Sequence, residues 1–190
     1  MIDQLIEYDR ELFLYLNNLG TPTWDPFWLL ITDKWTAIPL YAFLLFLIFR
    51  KYGVKGTLIT IVLVALMITC TDQLANLFKH GFERPRPCRQ EDVMEYTRFI
   101  AVRCGSFGYF SAHAASSTAL AIFVGLILKR FYPKLIYFIG FWALIVSYSR
   151  IYVGVHYPLD VITGMLMGTI LGLLFVVFHK FLIEKFKITF

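Results

Sequence analysis

Charge is scarce in this chain. Acidic and basic residues make up 16% of its 190 residues, and the net charge is only +5. So small an excess on so apolar a chain argues against a nucleic-acid partner, because basic residues at the ends of membrane helices account for it. Cysteine is rarer still, with three in all. Cys70 lies in an apolar run and reads as packing, while Cys88 and Cys104 flank one loop. No CxxC pair or Cys/His cluster has the spacing of a zinc site, and no cluster of carboxylates offers to hold another metal. Internal repeats and low-complexity segments are missing. The N-terminal segment lacks the basic stretch that opens a cleaved signal, carrying Asp3, Glu7, Asp9 and Glu11 instead.

Apolar residues are abundant. They form 58% of the chain, against about 45–50% in an ordinary soluble domain, and the mean hydropathy is +0.66. Five stretches approach the ~20 apolar residues that a bilayer crossing needs: 27–49, 56–78, 112–128, 135–153 and 159–178. The expected fold is all-α, a polytopic transmembrane bundle of about five spans in one domain covering 1–190. An additional helix over residues 1–18 places Ile2, Leu5, Ile6, Leu12, Phe13 and Leu16 near one face. It fits an amphipathic helix on the membrane surface or a cap on the bundle, and would be a sixth crossing if inserted.

Five spans put Arg50, Lys51 and Lys55, then Lys129, Arg130 and Lys134, then Lys180, Lys185 and Lys187 on one side. These are nine of the eighteen Lys and Arg residues. Lys79, Arg86 and Arg150 lie on the other side and are better assigned to ligand binding. Setting them aside leaves nine against six, so the positive-inside rule places the nine in the cytoplasm. The long polar loop 79–111 and the segment 150–160 then face outward together. In an oxidising compartment Cys88 and Cys104 could pair.

Three polar clusters fall at the outward span ends. The first holds Lys79, Arg86 and Pro87; the second Phe110, Ser111, Ala112 and His113; the third Ser149, Arg150, His156 and Asp160. Three cations brought to one face repel one another unless an anion lies between them, and guanidinium forks suit phosphate oxygens. Singly, each would read as an interfacial charge reaching for water. Asp160, four residues after His156, can orient the imidazole and leave its other nitrogen free to attack; a capping Asp beside a satisfied His is the plain alternative. Gly164, Gly168 and Gly172 continue that spacing and turn the same face toward a close helix neighbour. His113 is a candidate general acid. Ser111 and nearby backbone amides are candidates for phosphate oxygens, or for a helix cap. Asp72 lies within a span without an evident role beyond a structural hydrogen bond. His80 and His179 read as interfacial.

Together these clusters resemble the type 2 phosphatidic acid phosphatase family. Its pattern is Lys, six residues, Arg-Pro; then Pro-Ser-Gly-His; then Ser-Arg, five residues, His, three residues, Asp. Lys79 with Arg86-Pro87 matches the first element, and Ser149-Arg150, His156 and Asp160 match the third. In the second, Ser111 and His113 match, while Phe110 replaces proline and Ala112 replaces glycine, where glycine permits backbone angles and close approaches that alanine resists. The resemblance covers about 79–160. It implies that Lys79, Arg86, Ser111, Ala112 and Arg150 bind phosphate, that His156 attacks phosphorus with Asp160 orienting it, and that His113 protonates the leaving group. It implies no metal and no cofactor.

The implied substrate is a membrane lipid phosphate at the outer face of a bacterial inner membrane. A polyprenyl carrier, undecaprenyl diphosphate, is the leading expectation. Lipid A 1-phosphate, phosphatidylglycerophosphate and phosphatidate follow. A non-catalytic phospholipid binder or transporter, an intramembrane serine protease using Ser111, and a vanadate-dependent oxidase are the competing readings. Oligomeric state is not legible.

Overall fold

The computed structural model describes residues 1–188. Its elements are helical: α1 Ile2–Asn18, α2 Asp25–Thr32, α3 Ile38–Phe82, α4 Glu91–Met94, α5 Ala112–Leu128, α6 Leu135–Tyr152 and α7 Pro158–Lys185, with single 3-10 turns at Lys34–Ala37 and Pro87–Arg89. Helix α3 is two arms joined at Gly53, whose φ of 62° and ψ of −170° is a conformation that glycine adopts freely. Segments Lys34–Phe82, Leu135–Tyr152 and Pro158–Lys185 are long and apolar enough to cross a membrane, and α5 is a shorter apolar helix. With α3 counted as two arms, five apolar helical segments result.

The stretch 27–49, expected as one span, is not one helix. Helix α2 stops at Asp33, which is extended and whose carboxylate accepts from the Trp35 amide. Pro39 then occupies the first turn of α3, where its missing N–H costs nothing. An Asp and a Pro six residues apart inside an apolar run were the signal for this break. The last span is longer than 159–178 at both ends; 28 residues rise ~42 Å, more than the ~30 Å hydrocarbon core.

Helices α5 and α7 form the most closely packed pair. A Cβ added to Gly164, Gly168 or Gly172 would come within 2.5, 2.3 and 2.9 Å of the carbonyl oxygens of Ser111, Ala115 and Ala119. The two backbones therefore touch, and Ala114, Ala115 and Ala119 are fully buried beside them. The α3 second arm joins through Thr71 Oγ1, 3.0 Å from Ser116 Oγ. The main apolar core, including Leu47, Leu63, Met67, Phe123, Leu128 and Phe175, draws on α3, α5, α6 and α7 and takes in Ala119 beside the α5–α7 contact.

His179 is not interfacial. It is 2% exposed, its Nε2 is 3.0 Å from Thr60 Oγ1, and the rings of Tyr52 and Phe123 lie edge-on to it. Position 179 continues the buried α7 face that runs through Gly172, Phe175 and Val176. His80 is exposed and bonded to the Asn76 carbonyl through Nδ1.

Helix α1 lies against α6 and α7. It turns Asp9, Phe13 and Asn17 inward and leaves Ile2, Leu5, Ile6 and Leu12 exposed. The inward face is thus mostly polar, and the apolar one is left for a membrane interface. Asn17 docks it: the side-chain amide donates to the Ile151 and Tyr152 carbonyls at 3.0 and 2.9 Å, and its oxygen accepts from the Arg98 amide at 2.7 Å.

The three basic segments share one end. Lys51 Nζ lies 5.0 Å over the Phe131 ring and 5.6 Å over Tyr132, and the Tyr52 hydroxyl donates to the Ile127 carbonyl. Gly56, one turn on, faces Ile183. Cys88 and Cys104 are joined by a disulfide at the opposite end. Closing a loop of this size stabilises by about 3 kcal/mol in the chain-entropy view.

Candidate active site

His156 sits in the short connection between α6 and α7. Gly154, at φ 82°, ends α6, and a side chain there would meet the Arg98 carbonyl. Pro158 opens α7 at a position suited to its fixed φ. Asp160, at the third helical position, accepts from the Tyr157 amide through Oδ2 at 3.1 Å. The same oxygen is 3.4 Å from His156 Nδ1. Capping and facing the histidine, posed by the sequence as alternatives, are both done by one carboxylate. Gly108 lies against this pair: a Cβ there would stand 3.1 Å from Asp160 Oδ2 and 3.7 Å from His156 Nδ1. With Nδ1 held toward Asp160, Nε2 is left for chemistry.

His156 is 2% exposed. Burial, with Arg86, Arg150 and Lys79 nearby, holds its pKa well below the usual 6.5. Both influences favour the neutral imidazole over the imidazolium.

Arg86 projects from the loop after α3. Its Nε donates to the Phe107 carbonyl at 2.9 Å, and Gly105 and Gly108 let the 105–108 turn close over the guanidinium. Burial lowers the pKa of Arg86 from its ordinary value. The disulfide ties Cys88, two residues after Arg86, to Cys104 at the start of that turn. Arg150 donates through Nη1 to Thr32 of α2, and its Nε is buried without a hydrogen-bond partner. Lys79 lies within electrostatic reach of Arg86, Arg150 and Asp72. His113, in the first turn of α5, lies within reach of Arg150, His156, Arg86 and Lys79. Three segments distant in sequence thus converge on one point.

Ser111 is fully buried and caps α5, accepting from the Ala114 amide at 3.4 Å. Ala112 is the first helical residue and has no positive φ. The backbone there does not demand glycine. The Asp72 side chain makes no hydrogen bond among the described residues; one position away, Thr71 takes the bond to α5, and Asp72 instead lines a cavity.

That cavity, about 690 Å³, runs from His113, Ala112 and Asp72 into the apolar space between α3, α5 and α6. Leu45 and Ile61, 40% and 44% exposed, also line it, so it reaches the lipid-facing surface. Among the described residues no three His, Cys, Asp or Glu side chains gather as a metal site.

Sequence reasoning missed Arg84 and Asp9. Arg84 Nη1 donates to Asp160 Oδ1 at 2.8 Å, and Nη2 donates to Asp9 Oδ2 at 2.5 Å. Asp9 Oδ1 also accepts from the Leu159 amide at 2.8 Å. Burial pushes the Asp9 carboxyl up, against the opposing pull of Arg84 and that amide. Burial also opposes charge on Arg84, but Asp160 and Asp9 outweigh it and raise its pKa. Arg84 was visible in the Arg-Pro-Arg-Pro run; its partner, 75 residues away, was not.

A helical membrane bundle with a buried histidine, an orienting carboxylate and three converging cations defines a class of phosphoryl-transfer site. The chain belongs to the PAP2 superfamily, whose pattern residues 55–184 match. It is an integral membrane lipid phosphatase. It is 36% identical over 178 residues to the lipid A 4'-phosphatase of Bacteroides thetaiotaomicron, covering 92% of this chain and 78% of that one. The Porphyromonas gingivalis lipid A 4'-phosphatase is 35% identical, covering 90% and 72%. An undecaprenyl-diphosphatase of Sulfolobus acidocaldarius is 31% identical, covering 88% and 76%. Among solved structures, the Bacillus subtilis PAP2-type phosphatidylglycerolphosphate phosphatase superposes with a TM-score of 0.74 at 20% identity, over 93% of this chain and 87% of that one, a likeness of fold. Aquifex aeolicus LpxE superposes with a TM-score of 0.66 at 26% identity, over 87% and 93%.

Proposed function

We propose that this phosphatase removes the 4'-phosphate of a lipid A-type saccharolipid through a phosphohistidine on His156. The observation that supports the chemistry best is a buried His156 with Arg86, Arg150 and Lys79 around it, next to His113, which lines an apolar cavity that reaches the lipid-facing surface. The 690 Å³ volume is within the roughly 300–1,000 Å³ of small-molecule sites. It suits a lipid whose phosphate meets the cations while apolar chain lies in the cavity.

In this reading Lys79, Arg86 and Arg150 hold the phosphate oxygens, aided by Ser111 and the backbone amide at Ala112. His156 Nε2 attacks phosphorus in line, the bond from phosphorus to the sugar oxygen breaks, and His113 gives that oxygen a proton. Water then attacks the phosphohistidine, His113 takes its proton, and inorganic phosphate leaves with His156 restored. The cations stabilise the charge that spreads over the equatorial oxygens, the part a metal ion plays in other phosphoryl-transfer sites.

The choice of lipid A over the polyprenyl diphosphate expected from sequence rests on the two relatives at 35–36% identity over nine-tenths of the chain. Undecaprenyl diphosphate stays as a second reading, supported by the relative at 31%. An outward-facing site is part of the same proposal.

Phosphate release from lipid A and from undecaprenyl diphosphate, each in detergent with excess EDTA, tests both readings beside His156→Ala. Wild-type release from lipid A, with the 4'-dephosphorylated product seen by mass spectrometry, is expected, and none from His156→Ala. Faster release from the diphosphate would reverse the substrate order. Full activity in His156→Ala would overturn the mechanism.

A further inference from the structure

We infer that Arg84 and Asp9 are positioning residues for the histidine step, coupling helix α1 to the Asp160 that orients His156. The inference rests on the phosphohistidine mechanism proposed above. It extends the machinery beyond residues 55–184, because Asp9 lies outside the region that matches the family.

Arg84 is not free to bind phosphate. Its two terminal nitrogens are committed to two carboxylates, Asp160 at 2.8 Å and Asp9 at 2.5 Å. Its flat face lies 4.2 Å from the centre of the Tyr157 ring, and Phe13 of α1 packs edge-on against the other partner of that ring contact at 5.3 Å. A planar fork spanning two carboxylates fixes both in angle as well as in distance. Arg86, two residues on, is side-chain bonded among the described residues through Nε alone, to a carbonyl, and keeps its terminal nitrogens for a ligand. The two arginines of one short run thus divide the work.

Asp160 has two oxygens and both are assigned. Oδ1 takes Arg84; Oδ2 takes the Tyr157 amide and faces His156. Without Arg84 the fully buried carboxylate loses the salt bridge that fixes its Oδ1 and can rotate toward the histidine or away. Asp9 acts one step further out. It anchors Arg84 and, through the Leu159 amide, the first turn of α7 on which Asp160 stands. The Arg84 carbonyl accepts from the Gly108 amide at 2.9 Å, so the same residue also sets the turn whose backbone touches His156.

The test is a set of steady-state measurements on the full chain in detergent, with lipid A and a short-chain phosphate ester as substrates. Arg84→Gln and Asp9→Asn are each expected to lower kcat roughly 10–100-fold with KM within about threefold, since the phosphate-binding cations are untouched. Vanadate inhibition should weaken in step with kcat, while inhibition by inorganic phosphate holds. Arg84→Lys should recover only part of the loss, because an ammonium cannot span two carboxylates. Arg84→Gln placed on Asp160→Asn should cost little further, whereas a general structural role would multiply the two losses. A rise in KM at constant kcat, or losses that multiply, would overturn the inference. If Arg84→Gln does not fold, Asp9→Asn, which can still accept from the Leu159 amide, decides. His156→Ala and Asp160→Asn, run alongside, separate the two levels: activity retained there sinks the mechanism itself, while loss there with full activity in Arg84→Gln and Asp9→Asn sinks only the positioning role.

Discussion

At the residue scale the site depends on a histidine kept neutral by burial and surrounding cations. The unfolded chain protonates His156 near pH 6.5, while the folded chain does not until well below. Between those values the unfolded state binds more protons, so the stability of the empty protein falls as pH drops through 6.5, by at most about 1.4 kcal/mol per pH unit from this group. Thermal midpoints at pH 7.5 and 5.5 should fall further for the wild type than for His156→Asn. Equal falls would show an ordinary histidine. A second prediction concerns Ala112, whose helical backbone accepts alanine without strain. Ala112→Gly should retain equal or greater turnover. The three clusters holding His156, His113, Asp160, Lys79, Arg86 and Arg150 stood out in sequence as short polar runs at span ends, and the structure brings those residues near one another. Asp72 had no legible role beyond a structural hydrogen bond, because spacing says which turn a residue is on, not whether it faces a helix or a cavity.

At the scale of elements, the α5–α7 contact is where sequence was most informative. Small residues every four positions have one physical use, close approach of backbones, and the structure shows that approach. Gly168→Val should force the helices apart at the Ala115 carbonyl. We expect a cost of about 1–3 kcal/mol, the usual range for overpacking, seen as a lowered thermal midpoint. Turnover should fall too, since α5 carries His113 and α7 carries Asp160. An unchanged midpoint would mean that the contact is looser than the geometry states. The α1 face was less legible. Its apolar stripe suggested a membrane-lying helix, but which side docks on the protein depends on Asp9 and Asn17, polar residues whose partners lie 75 to 150 positions away. No local period reports such a pairing. Hydropathy alone carried the first span through Asp33 and Pro39, although Asp33 closes one helix and Pro39 opens the next for local reasons.

At the scale of the whole molecule, the two ends differ in kind. One gathers the basic loops around Lys51 and Tyr132, and the other holds the disulfide and the site. If the basic end is cytoplasmic, a cysteine placed at exposed Glu91 in intact cells should react with a membrane-impermeant maleimide, and one at exposed Lys134 should react only after permeabilisation. The reverse pattern would invert the orientation. Charge counts alone were a tie, broken only by setting aside three cations whose convergence on one face called for an anion between them.

The cavity that opens among lipid-facing residues has a kinetic consequence. A substrate arriving through it travels in two dimensions, so the relevant concentration is the fraction of surface it occupies, not moles per litre. Diluting the lipid phosphate substrate with inert detergent at fixed bulk concentration should slow turnover in proportion to its falling mole fraction. In a living membrane the same enzyme would then respond to crowding of its leaflet, and a change in lipid supply would set its pace without any change in the protein.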